Sequence, residues 1–171
     1  METLAIVLSV LGTVSICIPS LIKGKNMKLI LLFVFLANVL VATSYFLTGA
    51  YNGAVSCGIG GAQAIINYFF DRKNKKLPVW LIAVYIAAFA VVNLMVFTRL
   101  VDLVALVASV SFVLCIGQKN GAKYRLCTAL NASLWITYDL LSRSYGPMLT
   151  HSILLLTALA GIVIYDIRKK Q

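Results

Sequence analysis

Hydrophobic residues along this chain are gathered into seven runs, and most of the charged residues lie in the short segments between them. A transmembrane α-helix needs roughly 20 apolar residues, and each run is about that long, although the fifth and sixth are shorter. The alternation typical of a membrane β-barrel is missing. Because lipid offers the backbone no hydrogen-bond partners, these runs predict helices. The seven predicted spans are residues 4–22, 29–47, 51–70, 79–97, 100–116, 126–141 and 147–165.

The first run has the position of a signal peptide but not its chemistry. It is preceded by Glu2 and by no lysine or arginine, and residues 16–19 read Ile-Cys-Ile-Pro rather than a small-residue cleavage site. We therefore expect a retained transmembrane span.

The basic residues predict the orientation of the spans. All but Arg99 and Arg143 of the 15 lysines and arginines lie in four clusters, which follow the first, third, fifth and seventh runs. Because cytoplasmic loops are enriched in basic residues, this pattern predicts seven spans with the N-terminus outside and the C-terminus in the cytoplasm. The clusters are Lys23, Lys25 and Lys28; Arg72, Lys73, Lys75 and Lys76; Lys119, Lys123 and Arg125; and Arg168, Lys169 and Lys170.

Composition supports a multi-pass membrane protein and excludes several other classes. The chain is 61% hydrophobic and 12% charged, whereas soluble domains are roughly half apolar and a quarter charged. The excess apolar surface needs the lipid bilayer as its partner. Clustering of the +10 net charge between apolar runs argues against a nucleic-acid partner. The short loops leave no room for a soluble catalytic domain, and the chain is not expected to be an enzyme.

Metal and cofactor chemistry has little support in the sequence. The single histidine and the absence of a CxxC pair make a zinc site improbable, and no cofactor is expected. The sequence leaves open whether the chain forms a homo-oligomer.

Residues in the first and last thirds of the chain match at a spacing of 93 to 95 positions. Lys25-Asn26 matches Lys119-Asn120, and further matches follow in the same order. The matches predict two parallel three-helix repeats joined by a linker helix, residues 1–76, 77–98 and 99–171, as in some membrane transporters. The further pairs are Asn38 with Asn131, Tyr45 with Tyr138, Leu47 with Leu140, and Tyr51 with Tyr145.

Two stretches of the chain resemble the YgjV family of bacterial inner-membrane proteins. The first is residues 44–54, SYFLTGAYNGA, and the second is residues 134–139, LWITYD, followed by Ser144-Tyr145-Gly146. The resemblance implies a location in the bacterial plasma (inner) membrane. More distantly, the three-one-three plan is similar to the PQ-loop and SWEET superfamily, whose members carry sugars or small solutes. The chain departs from that pattern because it has no Pro-Gln dipeptide. SWEET transporters also carry a pair of facing asparagines in spans three and seven, and the nearest positions here are Gly60 and Ala158.

Amide and aromatic side chains are the first candidates for a transport pathway. Asn38 and Asn131 lie at matching depth and could bind a polar solute through their donors and acceptors, or could bond one helix to another. Tyr45, Trp135 and Tyr138 lie one or two turns further outward. These rings could stack on a sugar or form the outer aromatic belt.

Several other polar residues fall within the predicted spans. Gln63 could line a pathway or cross-link helices. His151 could gate a proton-coupled step, since histidine changes charge near physiological pH, or could form an ordinary hydrogen bond. Asp139 falls inside an apolar run and could couple transport to protons, although Arg143, four residues later, could pair with it.

Small residues recur every fourth position through the third span. This stripe predicts a helix that packs closely against its neighbours, with a solute route past a thin helix as the alternative. The stripe comprises Gly49, Gly53, Cys57 and Gly61.

These features predict a small-solute transporter or facilitator whose pathway lies between the two bundles. The alternative is a non-transporting membrane receptor or assembly partner of the same fold.

Overall fold

The computed structural model describes residues 2–22, 26–49, 51–143 and 145–167, without the side chains of residues 2, 51, 52, 145 and 146. These residues form seven α-helices followed by a π-helical turn, Val163–Ile167, and contain no strand. The helices are α1 Glu2–Leu21, α2 Met27–Leu47, α3 Tyr51–Arg72, α4 Val79–Met95, α5 Asp102–Ile116, α6 Gly121–Leu141 and α7 Tyr145–Ile162.

The seven apolar runs correspond one to one with the seven helices, so the predicted all-α fold is confirmed. Helix α6 begins at Gly121, five residues before the predicted start at residue 126. The apolar run misses this first turn because Lys123 and Arg125 lie in it. The side chain of Asn120 caps the helix by accepting a hydrogen bond from the backbone N–H of Ala122 at 2.9 Å.

Three stretches of described helix are long and apolar enough to cross a membrane, namely Thr3–Leu21, Met27–Leu47 and Pro147–Ile167. Helices α4 and α5 are apolar but shorter, with 17 and 15 residues. Polar residues are more frequent in α3 and α6. The prediction that all seven helices span the membrane therefore stays a prediction.

Each helix packs against the helices that precede and follow it, and α1 also packs against α7 to close the ring. Helix α3 additionally contacts α5, and α1 contacts α6. The largest buried cluster joins α2, α3, α5 and α6 through Met27, Ile30, Leu31, Val34, Ala64, Ile116 and Tyr124. Large apolar side chains also cover the outside, including most of one face of α1, which is a surface suited to lipid.

The small residues of α3 are used mainly in its contact with α2. A side chain at Gly53 would meet the ring of Tyr45, and one at Gly61 would come within 3.5 Å of Asn38 Cβ. Cys57 is half-buried. The prediction that Gly49 belongs to this stripe is wrong, because Gly49 precedes α3 and lies in the α2–α3 turn. Its φ of +76° is a backbone conformation that glycine adopts without strain.

At Gly161, α7 approaches the backbone of α1 closely. A Cβ atom at this position would clash with the backbone oxygen of Ser20 and would lie 2.7 Å from Cδ of Arg125. The backbone of α1 cannot move away cheaply, so the closed ring depends on a glycine here.

We expect Gly161→Ala to destabilise the protein, measured as a lower midpoint of unfolding in mixed micelles with increasing dodecyl sulfate. Gly58→Ala is the matched control, because a Cβ atom at Gly58 has nothing within 4 Å. Since alanine is favoured over glycine within a helix by roughly 0.5–1 kcal/mol, the control should be neutral or stabilising. Equal effects of the two substitutions would contradict the close contact of α7 with α1.

Candidate functional site

Short connections between the packed helices give the bundle two distinct ends. The last turns of α2, α4 and α6 lie with the first turns of α3, α5 and α7 at what we name the Asp139 end. The last turns of α1, α3, α5 and α7 lie at the opposite, Arg125 end.

A buried carboxylate and the single histidine of the chain are in contact at the Asp139 end. Oδ2 of Asp139, on α6, lies 2.6 Å from Nδ1 of His151, on α7, and the two side chains are 3% and 22% exposed. The expected pairing of Asp139 with Arg143 is wrong. Arg143 is exposed in the turn after α6 with a φ of +57°, so the helical spacing of four does not apply to it.

One aromatic ring stacks on the histidine side chain, and a second ring packs on the first. The indole of Trp135 stacks on the imidazole of His151, with ring centroids 5.5 Å apart and planes 14° from parallel. Tyr138 meets the same indole edge-to-face at 5.8 Å. The imidazole therefore lies against both the carboxylate of Asp139 and the face of Trp135.

A second carboxylate lies beyond Tyr138. The hydroxyl of Tyr138 donates to Oδ1 of Asp102 at 3.5 Å, while Oδ2 accepts from the backbone N–H groups of Thr98 at 2.9 Å and Arg99 at 2.8 Å. The pair of Asp102 with Arg99 has an N–O distance of 3.9 Å, and Arg99 is 57% exposed. An exposed pair of this length contributes little, so Asp102 chiefly holds the turn that precedes α5 through the N–H groups of Thr98 and Arg99.

Tyr45 adds α2 to the site. Its ring packs on Gly53 of α3, near the end of α2 that lies at the Asp139 end. Five of the predicted pathway residues thus gather at the Asp139 end, from α2, α6 and α7: Tyr45, Trp135, Tyr138, Asp139 and His151.

The two predicted asparagines lie deeper and have protein partners. Nδ2 of Asn131 donates to the carbonyl oxygen of Ala108 and to Oγ of Ser111, both at 2.6 Å and both on α5. Nδ2 of Asn38 donates to the carbonyl oxygen of Val34, on its own helix, at 2.8 Å. The Asn131 amide therefore bonds α6 to α5, as the helix-bonding alternative expects.

Gln63 joins α3 to α5. Its Nε2 donates to the carbonyl oxygen of Val113 at 3.2 Å, and one turn later Nδ2 of Asn67 donates to that of Ile116 at 3.0 Å. Oε1 of Gln63 is buried and has no hydrogen-bond partner in the described part of the chain. These amides cross-link helices away from the Asp139 end.

A buried cation, which the sequence pattern did not single out, lies at the Arg125 end. The side chain of Arg125 on α6 is 2% exposed. Its Nε donates to Oδ2 of Asp166 at 2.9 Å, Nη2 donates to Oδ1 of the same carboxylate, and Nη1 donates to the carbonyl oxygen of Ile22 at 3.1 Å. The ring of Tyr165 lies under the guanidinium, 5.5 Å from its carbon.

The sequence placed Arg125 among the cytoplasmic charges because it closes the third basic cluster. The available signal was its position directly before an apolar run, together with Asp166 at the end of the neighbouring run. Of the other cluster members, Lys23, Lys25, Arg168, Lys169 and Lys170 lie outside the described residues. No group of three potential metal ligands occurs within the described residues.

We expect Asp166→Asn to destabilise the protein by about 3–5 kcal/mol, because it leaves a buried guanidinium without its counter-charge. The unfolding midpoint in mixed micelles measures the effect. Asp71→Asn is the matched control, since Asp71 lies at the end of α3 and has no ion pair among the described residues. The double variant Arg125→Met with Asp166→Asn should recover part of the loss. Additive losses would contradict a direct pairing.

A family model described as a bacterial inner membrane protein, Imp-YgjV, matches residues 3–169 of the chain. No curated protein matches. No solved structure matches either.

Proposed function

The chain belongs to the Imp-YgjV family of bacterial inner membrane proteins, and we propose that it carries a small polar solute across the membrane. The observation that carries the proposal is the contact of Asp139 with His151 beneath Trp135. Ionisable side chains are expensive to keep inside a membrane and usually mark a substrate or proton pathway. Asp139 is 3% exposed and lies in a helix, so its presence needs such a reason.

The site is built for recognition rather than for simple helix adhesion. A carboxylate accepts hydrogen bonds, an imidazole can donate or accept them, and the flat faces of Trp135 and Tyr138 suit a ring or an alkyl group. Within the described residues, the carboxylate of Asp139 contacts the imidazole of His151. A solute with a hydrogen-bond donor can take the place of the imidazole, so that the buried carboxylate keeps a partner.

The arrangement that suits this function is two parallel three-helix bundles, α1–α3 and α5–α7, with α4 as the linker. Two contacts between the bundles support it. The backbone of Ser20 on α1 approaches Gly161 on α7, and the backbone of Ile116 on α5 accepts a bond from Asn67 on α3. Ser20 and Ile116 are about one repeat length apart in the sequence, and so are Asn67 and Gly161. A similar plan occurs in transporters of the PQ-loop and SWEET type.

Seven spans with the N-terminus outside predict the location of each connection. Alkaline phosphatase fused after Thr98 or Arg143 should be active, because the enzyme folds only outside the cytoplasm. The same fusion after Asn74 or Asn120 should be inactive, since basic clusters flank both positions. An active fusion after Asn120 would contradict the proposed topology.

We expect a transported solute to stabilise the purified protein against heat. A ligand at a hundred times its Kd that binds only the folded state adds about 2.7 kcal/mol. A screen of sugars, amino acids, organic acids and amines should therefore give a thermal shift that is lost in Trp135→Ala. The shift should remain in Trp80→Phe, because Trp80 is 66% exposed at the start of α4.

Uptake of the same labelled solute into proteoliposomes then tests transport directly. The expected result is uptake that Trp135→Ala reduces and Trp80→Phe leaves unchanged. A stable complex with another membrane protein, with no thermal shift and no uptake, would instead support the non-transporting alternative.

A further inference from the structure

Two carboxylates lie near Tyr138 at this end of the bundle. Asp139 is the next residue of α6, and Asp102 accepts a hydrogen bond from the Tyr138 hydroxyl. Arg99 is largely exposed, and Arg143 lies in the turn after α6. Within the described residues, His151 is therefore the basic side chain in direct contact with the Asp139 carboxylate. A positively charged group is what this environment stabilises best.

The imidazole of His151 occupies the position that an organic cation would take. One side of it contacts a carboxylate at 2.6 Å, and one face lies 5.5 Å from the indole of Trp135. A carboxylate and an aromatic face are the two groups that together bind ammonium ions, through charge and through the ring quadrupole. Tyr138, nearly perpendicular to Trp135, adds a second ring.

We propose that the Asp139 end binds a small organic cation, an amine or a quaternary ammonium, in exchange for the protonated side chain of His151. This inference rests on the proposed transport function and names the class of its solute. The cation takes the carboxylate of Asp139 and the face of Trp135, and the displaced imidazole loses its proton to water. One cation bound and one proton released keep the buried charge constant.

The exchange gives cation binding a defined dependence on pH. A protonated His151 side chain holds the carboxylate of Asp139, so the cation binds weakly. Once the imidazole has given up its proton, the cation binds more tightly, so binding strengthens as the pH rises. The other groups that face the site are Tyr45 from α2, Cys57 from α3, Asp102 and Arg99 at the start of α5, and Tyr138 from α6. Such side chains ordinarily keep one charge state between about pH 5.5 and 7.5.

Trp135 provides the reporter for the test. The chain has two tryptophans, so Trp80→Phe leaves the indole of the site as the main source of fluorescence. The probes are choline and its uncharged isostere 3,3-dimethylbutan-1-ol, each titrated into the detergent-purified Trp80→Phe protein at pH 7.5 and 5.5. Choline should change the fluorescence saturably, and the alcohol should not.

The affinity for choline should be lower at pH 5.5 than at pH 7.5, because a protonated imidazole competes with choline for the carboxylate of Asp139. His151→Gln keeps a polar side chain without the titratable group, so it should bind choline with no such dependence. Asp139→Asn should abolish binding while a thermal melt verifies folding. If Asp139→Asn does not fold, the pH profile of His151→Gln still decides the matter.

Three results would overturn the proposal. Equal binding of choline and its isostere would show an apolar site without charge recognition. An unchanged pH dependence in His151→Gln would remove the histidine from the exchange. Uptake of a neutral solute, lost in Trp135→Ala, in a protein that does not bind choline would leave transport standing and the cation site wrong. Conversely, pH-dependent choline binding without uptake would support the cation site and contradict transport.

Discussion

The burial of one guanidinium group constrains how this bundle closes. Arg125 is 2% exposed, and a charge so far from water must have its counter-charge and its hydrogen bonds within the protein. Asp166 supplies the carboxylate at the π-helical turn after α7, and Ile22 supplies a carbonyl at the end of α1. The first helix and the last two helices of the chain therefore meet at one side chain, in a space that Gly161 leaves open.

The two charged contacts of α6 with α7 have different chemistry at the two ends of the helices. At the Arg125 end, the basic partner is a guanidinium, which donates two hydrogen bonds to one carboxylate. At the Asp139 end, the basic partner is an imidazole, which can donate or accept hydrogen bonds and stacks on Trp135. The same pair of helices thus has a two-point Arg–Asp contact at one end and a single His–Asp contact at the other.

Between these ends, side-chain amides hold the helices together. Asn131 bonds α6 to α5, and Gln63 and Asn67 bond α3 to α5. Lipid tails are as apolar as the helix surfaces, so the hydrophobic effect hardly drives helices together within a membrane. Interhelical hydrogen bonds and close packing then become the main specific contacts. This explains why amides that look like pathway candidates in the sequence are used within the protein, and why the polar side chains at the Asp139 end remain the better candidates.

The sequence by itself determined the seven helices, because an apolar run of this length must satisfy its backbone hydrogen bonds within a helix. It also identified Asp139, His151 and Trp135 as unusual residues, since polar and aromatic groups stand out in an apolar chain. Only the tertiary structure paired Asp139 with His151 rather than Arg143, buried Arg125, and moved Gly49 into a turn. Helical periodicity specifies which residues share a face, but the helix that this face meets depends on packing between segments far apart in the sequence. That packing decided which charges are neighbours, and so which residues form the site.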